Sequence, residues 1–499
     1  MQTASLPSTL RLTPEQEAIV SHEPTSSLVV VAGAGTGKTS TLVEYANRWP
    51  QHRGIYMAFN SDIAREAKTK FPRHVEVRTM HSFAYREMQV FDYKNQLQPG
   101  GIRRQQLRDA AAIALAPEEA YVPPAVLQRI SWAFRRYLIS DDPKLTHEHM
   151  PPVEGLPWEY PRIIKAAVKI VDHLMNFRQH GGPFNHDMYL KAYALEQQND
   201  RTRPLQARYL ALDESQDLSP VMIGIASRFD VPLIVVGDTY QSIYAFRGAV
   251  SAMETFEGPR LPLTKSWRFG PAIADAANRI LELSNKPPKH PVRPNRDIHS
   301  TIHEGIANEG MILARTNARL MELLMHTVDR PFYISGGYHK FRREIQAGID
   351  LWVGKPSHEA SPLPYKDRDE LELEAADGGD PVAARLVKLL EEHGPLALAA
   401  MLERLVEFAR DKPSEATLHL STAHGAKGLE MATCTLLDDF WSLDRRVSYR
   451  DYLVGKKEWS SIKARDFDQE LNLLYVAVTR AKERLFLPVE LFYELAPGH

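Results

Sequence analysis

The chain has 499 residues and a formal net charge of −2, with 43% hydrophobic and 25% charged residues. This length is too great for one hydrophobic core and predicts roughly three or four folding units. The near-neutral charge excludes nucleic-acid binding by global basicity, so such binding would need local patches. The single cysteine, Cys434, excludes an internal disulfide and a cysteine-based metal site, and suits a cytoplasmic protein. No apolar run reaches the roughly 20 residues of a membrane span, so no membrane partner is expected.

A helix is predicted near the amino terminus, with Thr13 as its N-cap and Pro14 as its first residue. Gln16 stands three residues after the cap, where a glutamine completes a capping box. A side-chain amide also matches the donor and acceptor on the edge of adenine. The local sequence leaves both roles open for Gln16.

The segment 29–39, VVVAGAGTGKT, has the pattern of a phosphate-binding loop, although Ala32 replaces its usual first glycine. An apolar strand precedes the glycines and a helical pattern follows, as such a loop requires. Its backbone N–H groups can surround a phosphate, and Lys38 can reach the β- and γ-phosphates. The Thr39 hydroxyl can bind Mg²⁺. The segment predicts an ATP and Mg²⁺ site with nucleotide contacts from Ala34, Gly35, Thr36, Gly37, Lys38, Thr39 and Ser40.

Further strands are predicted over 54–59 and 75–78, with a helix over 62–70 between them. Strands that alternate with helices indicate a parallel α/β sheet whose ligand-facing loops follow the carboxyl ends of the strands. Phe59 and His81 lie at the carboxyl ends of two of these strands. Either residue fits a core position or a contact with the bases or backbone of nucleic acid.

Strand signals disappear from about residue 90 to 199, and helical periodicity dominates. Helices are predicted over 104–116, 124–138 and 160–176, which together indicate a helical insertion. The pairs Arg103–Arg104 and Arg135–Arg136 fit either a solvated helix face or a surface that meets DNA.

A strand returns at 209–212 and is followed by Asp213 and Glu214. Downstream of a phosphate-binding loop, the first carboxylate of such a pair holds Mg²⁺ and the second orients and deprotonates the attacking water. In combination with Lys38 and Thr39, the acidic pair predicts nucleotide hydrolysis.

The next strand, 232–236, leads into GDTYQSIYAFRG at 237–248. Gln241 is suited to sense a γ-phosphate or its attacking water. Aromatic rings interleaved with arginine grip single strands without reading their sequence. This arrangement predicts DNA contacts from Tyr244, Phe246 and Arg247, with a core position as the alternative for Phe246.

Eight segments, in this order, resemble the UvrD/Rep-type superfamily 1 DNA helicases, particularly the compact branch with the F-box DNA helicases: AGAGTGKT, TMHSF, LDESQD, VVGDTYQSIYAFRGA, KSWRFG, ARTN, STAHGAKGLE and LNLLYVAVTRAKERL. The resemblance, over 16–485, implies an α/β fold of two RecA-like P-loop domains with ATP in the cleft between them. The implied first core is 1–89 with 201–262, and the second is 263–345 with 414–499. The implied insertions are a helical one at 90–200 and a reduced one at 346–413.

The resemblance also implies roles in ATP hydrolysis. It favours the adenine contact for Gln16, and it makes Arg268 and Arg480 arginine fingers on the γ-phosphate. Trp267 replaces a tyrosine that stacks near the adenine, and Glu430 resembles a residue that binds the ribose. The catalytic residues predicted on this basis are Lys38, Glu214, Gln241, Arg268 and Arg480, with Thr39 and Asp213 on the metal.

Arg315, Asn317, Thr422 and His424 resemble positions at which the family contacts DNA. One basic contact of the family is missing, because Asp62 stands in place of its lysine. The full predicted DNA-binding set is Phe59, Asn60, His81, Tyr244, Phe246, Arg247, Arg315, Asn317, Thr422 and His424.

The family places a large fourth subdomain, which regulates unwinding and contacts duplex, where this chain has only the 69 residues 345–413. Within them, 355–381 is rich in Pro, Asp, Glu and Gly and predicts a linker, and 382–410 predicts two amphipathic helices. The reduction weakens the case for duplex engagement but not for ATP-driven translocation.

The resemblance therefore predicts an ATP-dependent 3′-to-5′ DNA helicase and translocase on single-stranded DNA and single-strand/duplex junctions. Its pathway would be repair, recombination or replication, with no particular protein partner indicated. A translocase that strips bound proteins without unwinding is one alternative. A module in which ATP only gates binding is another, and the presence of Glu214, Arg268 and Arg480 argues against it.

Overall fold

The computed structural model describes residues 12–98, 100–150, 158–244, 252–326, 329–355, 361–363, 365–376, 381–440 and 461–496. The chain forms two compact units, residues 1–264 and 265–499. In the part of the chain just delimited, none of the helices is long and apolar enough to cross a membrane.

The first unit is built on a six-stranded parallel sheet with the strand order β3-β2-β4-β5-β1-β6. Three inner strands, Gly54–Ala58, Tyr209–Leu212 and Leu233–Gly237, are apolar and buried on both faces, as central parallel strands require. The strands are β1 (Leu28–Ala32), β2 (Gly54–Ala58), β3 (Val75–Thr79), β4 (Tyr209–Leu212), β5 (Leu233–Gly237) and β6 (Arg260–Leu263).

The edge strand β6 places the end of the first unit slightly later than the sequence indicated. Leu263 pairs with Ala32 of β1 and is buried, so a boundary after residue 262 would cut through the sheet. This strand, whose four residues include an arginine and a proline, was not predicted from the sequence.

Helices cover the first sheet and form the insertion. The insertion shares one hydrophobic core with the sheet, in which Ile130 and Ile170 join Val29 and Met57. Arg228 also anchors it, by donating to both carboxylate oxygens of Asp141 at 2.7 and 2.9 Å. The helices are Pro14–Val20, Lys38–Arg48, Ser61–Lys70, Met80–Glu87, Val90–Gln96 (3₁₀), Arg104–Ala114, Pro124–Ile139, Tyr160–Met175, Phe177–His180, His186–Gln198, Pro220–Ser227 and Ala252–Thr255.

The second unit contains a second parallel sheet of six strands, in the order β7-β12-β11-β8-β10-β9. The predicted α/β fold class is therefore confirmed. The strands are β7 (Thr301–Glu304), β8 (Gly310–Ala314), β9 (Phe332–Ile334), β10 (Leu418–Thr422), β11 (Met431–Leu436) and β12 (Ala481–Leu487). The helices are Pro271–Glu282, Asn317–His326, Tyr338–Trp352, Arg368–Ala376, Pro381–His393, Pro395–Leu405, Ser461–Val478 and Val489–Leu495.

The prediction of a linker over 355–381 is wrong, because Arg368–Ala376 is a helix. Leu371 on this helix is fully buried, and the Arg368 guanidinium lies 3.9 Å from the centre of the Trp352 ring. The acidic composition hid the helix, since charged residues separate its apolar ones and the pattern lacks a clear helical period. The two helices predicted over 382–410 correspond to Pro381–His393 and Pro395–Leu405.

Candidate functional site

The loop between β1 and the helix Lys38–Arg48 has the backbone conformation of a phosphate cradle. Gly35 and Gly37 have φ values of 70° and 80°, a left-handed region that glycine enters without a Cβ clash. The buried Thr36 hydroxyl donates to the Gly33 carbonyl at 3.0 Å and fixes the turn. The first N–H groups of the following helix have no partner within that helix, so this end suits a phosphate.

The phosphate-loop residues meet the acidic pair across the sheet. Lys38 Nζ lies 3.4 Å from Glu214 Oε1, and the Thr39 hydroxyl donates to Asp213 Oδ2 at 2.8 Å. These four residues come together because β1 and β4 both lie beside β5. A hydroxyl and a carboxylate oxygen at this distance form a donor set that suits Mg²⁺, which otherwise keeps water and phosphate ligands.

Asp213 is almost completely buried and carries a further hydrogen bond that the sequence did not reveal. The Tyr56 hydroxyl donates to Asp213 Oδ2 at 2.6 Å. Burial and the neighbouring Glu214 carboxylate raise the pKa of Asp213. Lys38 and the hydrogen bonds from Tyr56 and Thr39 act to lower that pKa. A bound cation would stabilise the ionised form of this buried carboxylate.

Glu214 is oriented by its backbone and by an amide. It adopts a left-handed conformation with φ 51°, uncommon for a residue other than glycine. Gln216 donates to Glu214 Oε2 at 2.5 Å and accepts from the Asp238 N–H at 3.0 Å. Gln216 therefore connects the ends of β4 and β5. Only its position between acidic residues in DESQD could have signalled this role.

Gln241 is held by the fully buried Asp238. The Gln241 side-chain amide donates to Asp238 Oδ2 at 2.8 Å, and the Tyr240 N–H donates to Oδ1 at 3.0 Å. Burial raises the pKa of Asp238, and the nearby Lys38 charge opposes this rise. Asp238 thus fixes the side chain that was predicted to sense the γ-phosphate.

Gln16 forms the capping box that was one of its two predicted roles. Its side-chain oxygen accepts from the Thr13 N–H at 3.0 Å, and its own N–H donates to the Thr13 hydroxyl at 3.2 Å. The side-chain NH₂ group donates to the Thr41 hydroxyl at 3.1 Å. Thr41 lies on the helix after the phosphate loop, so Gln16 is tied to that helix. The adenine contact stays a prediction.

Two residues of the predicted DNA-binding set form an aromatic pair at the carboxyl ends of the strands. The rings of Phe59 and Tyr244 are stacked, with centroids 5.7 Å apart and planes inclined by 18°. Both side chains are half-buried, so each keeps an accessible part. Phe246 and Arg247 lie outside the described residues.

Asn60 and His81 have local partners. The Asn60 side-chain oxygen caps the helix Ser61–Lys70 by accepting from the N–H groups of Asp62 and Ile63, at 3.0 and 2.9 Å. His81 Nε2 lies 3.4 Å from Asp187 Oδ1 of the insertion. Helix capping was not predicted for Asn60, although an asparagine before a helical pattern is its usual signal.

In the second unit, Arg268 and Glu430 are bonded to each other. Arg268 Nε donates to Glu430 Oε2 at 2.6 Å, and its Nη1 donates to the Thr479 carbonyl at 3.0 Å. Lys482 Nζ lies 2.7 Å from Glu430 Oε1. The sequence assigned no role to Lys482, which reads as a solvent-facing residue of β12.

Trp267 and Arg480 differ strongly in exposure. Trp267 is 42% exposed, with the Lys265 ammonium 4.1 Å from its ring centre. Arg480 is buried, and it donates from Nε to the Val476 carbonyl at 2.9 Å and from Nη1 to the Leu429 carbonyl at 3.1 Å. The finger role of Arg480 stays a prediction.

Arg315 was predicted to contact DNA, yet its guanidinium is bonded to a carboxylate. Its Nε and Nη2 donate to the two oxygens of Glu470 at 2.6 and 2.5 Å, and this pairing raises the pKa of Arg315. DNA would have to compete with Glu470 for this side chain. Asn317 is the first residue of its helix.

Thr422 and His424 lie where β10 ends. The Thr422 hydroxyl accepts from the Gly425 N–H at 3.2 Å and so closes a tight turn. His424 stands within this turn and is half-buried. The DNA contacts of both residues stay predictions.

Comparisons with known proteins agree with this geometry. Residues 15–247 match an AAA domain, and residues 375–490 match a UvrD-like helicase C-terminal domain. This chain is UvrD-like. The resemblance to UvrD/Rep-type superfamily 1 is thereby confirmed. The two parallel sheets of the chain are those of RecA-like domains.

Two F-box relatives match nearly all of the UvrD-like chain, and a bacterial relative matches about half of it. F-box DNA helicase protein 1 of Schizosaccharomyces pombe is 28% identical, over 96% of this chain and 58% of the relative. F-box DNA helicase 1 of Gallus gallus is 27% identical, over 98% of this chain and 50% of the relative. DNA helicase IV of Escherichia coli is 24% identical, over 56% of this chain and 48% of the relative. The chain thus spans about half the length of these relatives.

Proposed function

We propose that the UvrD-like chain is an ATP-driven motor that moves 3′-to-5′ on single-stranded DNA and separates strands at single-strand/duplex junctions. The contact between the phosphate loop and the acidic pair carries this proposal. Lys38 lies 3.4 Å from Glu214, and Thr39 donates to Asp213 at 2.8 Å. Groups that bind phosphate, hold a cation and accept a proton are thus gathered at one place.

In this proposal the loop N–H groups and Lys38 bind the phosphates of ATP. Thr39 and Asp213 would hold Mg²⁺, which neutralises charge on the phosphate oxygens. Glu214 accepts a proton from the attacking water, and Gln216 keeps the carboxylate in position through its 2.5 Å hydrogen bond. A nucleotide that draws Lys38 to its phosphates also frees Glu214 from its present contact.

DNA engagement is proposed at the stacked pair of Phe59 and Tyr244, which offers aromatic faces to bases irrespective of sequence. Phe59 follows β2, and Tyr244 follows the segment that contains Gln241. A change at the γ-phosphate therefore has a short path along the chain to the ring of Tyr244. The 3′-to-5′ direction and a role in repair, recombination or replication follow from the resemblance to UvrD/Rep-type proteins.

A second candidate is a translocase that displaces bound proteins without unwinding. The packing of the reduced insertion favours it. Leu386 and Leu402 of the insertion share one core with Ile312 and Leu420 of the second sheet. The Tyr338 hydroxyl also donates to the Leu402 carbonyl at 2.9 Å. In its described residues the insertion is fused to its domain and forms no separate body with which to engage duplex.

The test is strand separation on matched partial duplexes that carry a 3′ tail, a 5′ tail or no tail, with ATP and Mg²⁺. Lys38→Ala removes the phosphate-loop cation. Lys70→Ala is its matched control, because Lys70 forms only an exposed pair with Glu66 in the same unit. The proposal expects opening of the 3′-tailed substrate alone, retained by Lys70→Ala and lost with Lys38→Ala.

Each other outcome selects a different function. DNA-stimulated ATPase without opening of any substrate would favour the protein-displacing translocase. Opening of the 5′-tailed substrate would contradict the direction. ATP-dependent DNA binding without hydrolysis would favour a gated binding module.

A further inference from the structure

The carboxylate of Glu430 lies between two cations of the second unit, and one of them has no assigned role. We infer that Lys482 is a positioning residue that fixes Glu430, and through it the guanidinium of Arg268, for ATP hydrolysis. The inference rests on the proposed function and on the predicted role of Arg268 as an arginine finger that stabilises charge on the γ-phosphate. It adds a residue that touches neither nucleotide nor DNA.

The two oxygens of Glu430 are divided between the two cations. Lys482 Nζ lies 2.7 Å from Oε1, and Arg268 Nε donates to Oε2 at 2.6 Å. A carboxylate bonded in this way cannot rotate without losing one of its charge-assisted hydrogen bonds. Lys482 therefore sets the orientation of Glu430 Oε2, the oxygen that accepts the hydrogen bond from Arg268.

Arg268 is restrained on a second side as well. Its Nη1 donates to the Thr479 carbonyl at 3.0 Å, and its backbone N–H donates to the Ser266 hydroxyl at 3.2 Å. With Nε and Nη1 both engaged, the guanidinium plane is fixed. A donor fixed before the reaction costs no reorganisation when charge develops on the phosphate.

The charge balance keeps this arrangement intact at neutral pH. Burial alone would raise the pKa of Glu430, but Lys482 and Arg268 outweigh it and hold that pKa below its usual value. Glu430 is therefore ionised and remains an acceptor for both cations.

The segment 429–431, which contains Glu430, also holds Arg480, the second predicted arginine finger. The Leu429 carbonyl accepts from Arg480 Nη1 at 3.1 Å, and the Met431 N–H donates to the Arg480 carbonyl at 3.0 Å. Arg268 is thus held by Glu430, and Arg480 by the residues on either side of Glu430. A disturbance of Glu430 reaches both side chains.

Loss of Lys482 should act on the chemical step more than on nucleotide binding. A displacement of about 1 Å in a catalytic group can cost up to about 100-fold in rate. Because Arg268 keeps its bonds to Thr479 and Glu430, Lys482→Met should lower the kcat of DNA-stimulated ATP hydrolysis by about tenfold. The KM for ATP should change less than about twofold.

The experiment measures kcat and KM for ATP in the full chain, together with the Tm of each variant. Arg484→Met is the matched control, because Arg484 lies on the same strand and pairs with exposed Glu309 at 2.7 Å. Lys482→Arg restores a cation and should recover most of the activity. In the Arg268→Ala background, Lys482→Met should cause no further loss of kcat, since the residue it positions is absent.

Three results would overturn the inference. Equal kcat for Lys482→Met and Arg484→Met would remove the role of Lys482. A rise in KM with unchanged kcat would mean that Glu430 and Lys482 serve nucleotide binding instead. A full tenfold loss in the Arg268→Ala background would show that Lys482 acts independently of Arg268. A wild-type chain without DNA-stimulated ATPase is a different result, which overturns the proposed function itself.

Discussion

The two units each contain a cluster of charged residues, and the clusters differ in the sign that is in excess. In the first unit, Asp213, Glu214 and Asp238 surround the single cation of Lys38. In the second unit, Arg268 and Lys482 surround the single carboxylate of Glu430. Buried carboxylates outnumber cations in one cluster, and cations outnumber carboxylates in the other.

The pKa values follow this difference. Burial raises the pKa values of Asp213 and Asp238, which lack enough positive charge nearby. The pKa of Glu430 is lowered by its two cations despite burial. A metal ion would therefore offset the excess negative charge of the first cluster. The two cations of the second cluster keep Glu430 ionised, and this carboxylate holds Arg268 in place.

The largest effect is expected from Glu214→Gln in the acidic cluster. The amide cannot accept the proton of the attacking water, so kcat for ATP hydrolysis should fall by about 10³-fold. Binding of ATP should persist, because Lys38 and the loop are unchanged. Steady-state hydrolysis and fluorescent-nucleotide binding measure the two quantities. Glu66→Gln, on an exposed helix face, is the control, and hydrolysis above a tenth of wild type would refute the role of Glu214.

In the cationic cluster, Arg268→Ala should lower kcat by about 10²-fold, the usual cost of one preorganised donor. Because Arg268 and Arg480 share the support around Glu430, Arg480→Ala should add less than its own single effect when the two are combined. A double-mutant cycle on kcat measures this coupling. Fully additive losses would mean that the two side chains act separately.

Tyr56→Phe tests whether the acidic cluster is tuned for a cation. Removal of the hydroxyl that donates to Asp213 should raise the Mg²⁺ concentration for half-maximal ATPase by about tenfold, as for other partners of metal ligands. Tyr45→Phe is the matched control, since Tyr45 is equally buried and its hydroxyl has no hydrogen-bond partner within the described part of the chain. Identical Mg²⁺ dependence of the two variants would contradict the prediction.

The smallest effect is a pair of opposite pH dependences. The raised pKa of Asp238 means that the folded state binds its proton more tightly, so wild type should lose stability relative to Asp238→Asn as pH rises above about 4. The lowered pKa of Glu430 has the reverse sign, so wild type should lose stability relative to Glu430→Gln as pH falls below about 4.5.

Differential scanning fluorimetry between pH 3.5 and 7 measures these differences in Tm. The difference for Glu430→Gln should stay within about 2 °C, because Glu430 is partly exposed and its pair is screened by solvent. Slopes of the same sign for the two variants would show that the clusters do not differ in charge balance.

The sequence was most informative where a function requires neighbouring residues. Lys38 with Thr39, and Asp213 with Glu214, each follow a strand, and the structure brings the two pairs within 3.4 Å. Tyr56 was missed because a tyrosine in the middle of the strand GIYMA reads as core. Its role depends on the register of β2 against β4, in which Tyr56 pairs with Ala211, two residues before Asp213.

Long-range partners explain the remaining differences. The Glu470 partner of Arg315 and the Glu430 partner of Arg268 lie 155 and 162 residues away in the chain. No local sequence pattern distinguishes an arginine that pairs with a carboxylate of the same chain from one that binds DNA or phosphate. The helix Arg368–Ala376 was likewise hidden, because its stability comes from burial of Leu371 and not from a strong apolar periodicity.

The sequence alone determined the phosphate loop, the acidic pair, the alternation of strands and helices and the order of the family segments. Each of these depends on residues adjacent in the chain, where backbone conformation and spacing are set locally. Only the tertiary structure decided which charges meet, including the bridge of Gln216 between β4 and β5 and the position of Glu430 between Lys482 and Arg268. The reason is that both sheets order their strands differently from the chain, so contacts depend on strand order and register.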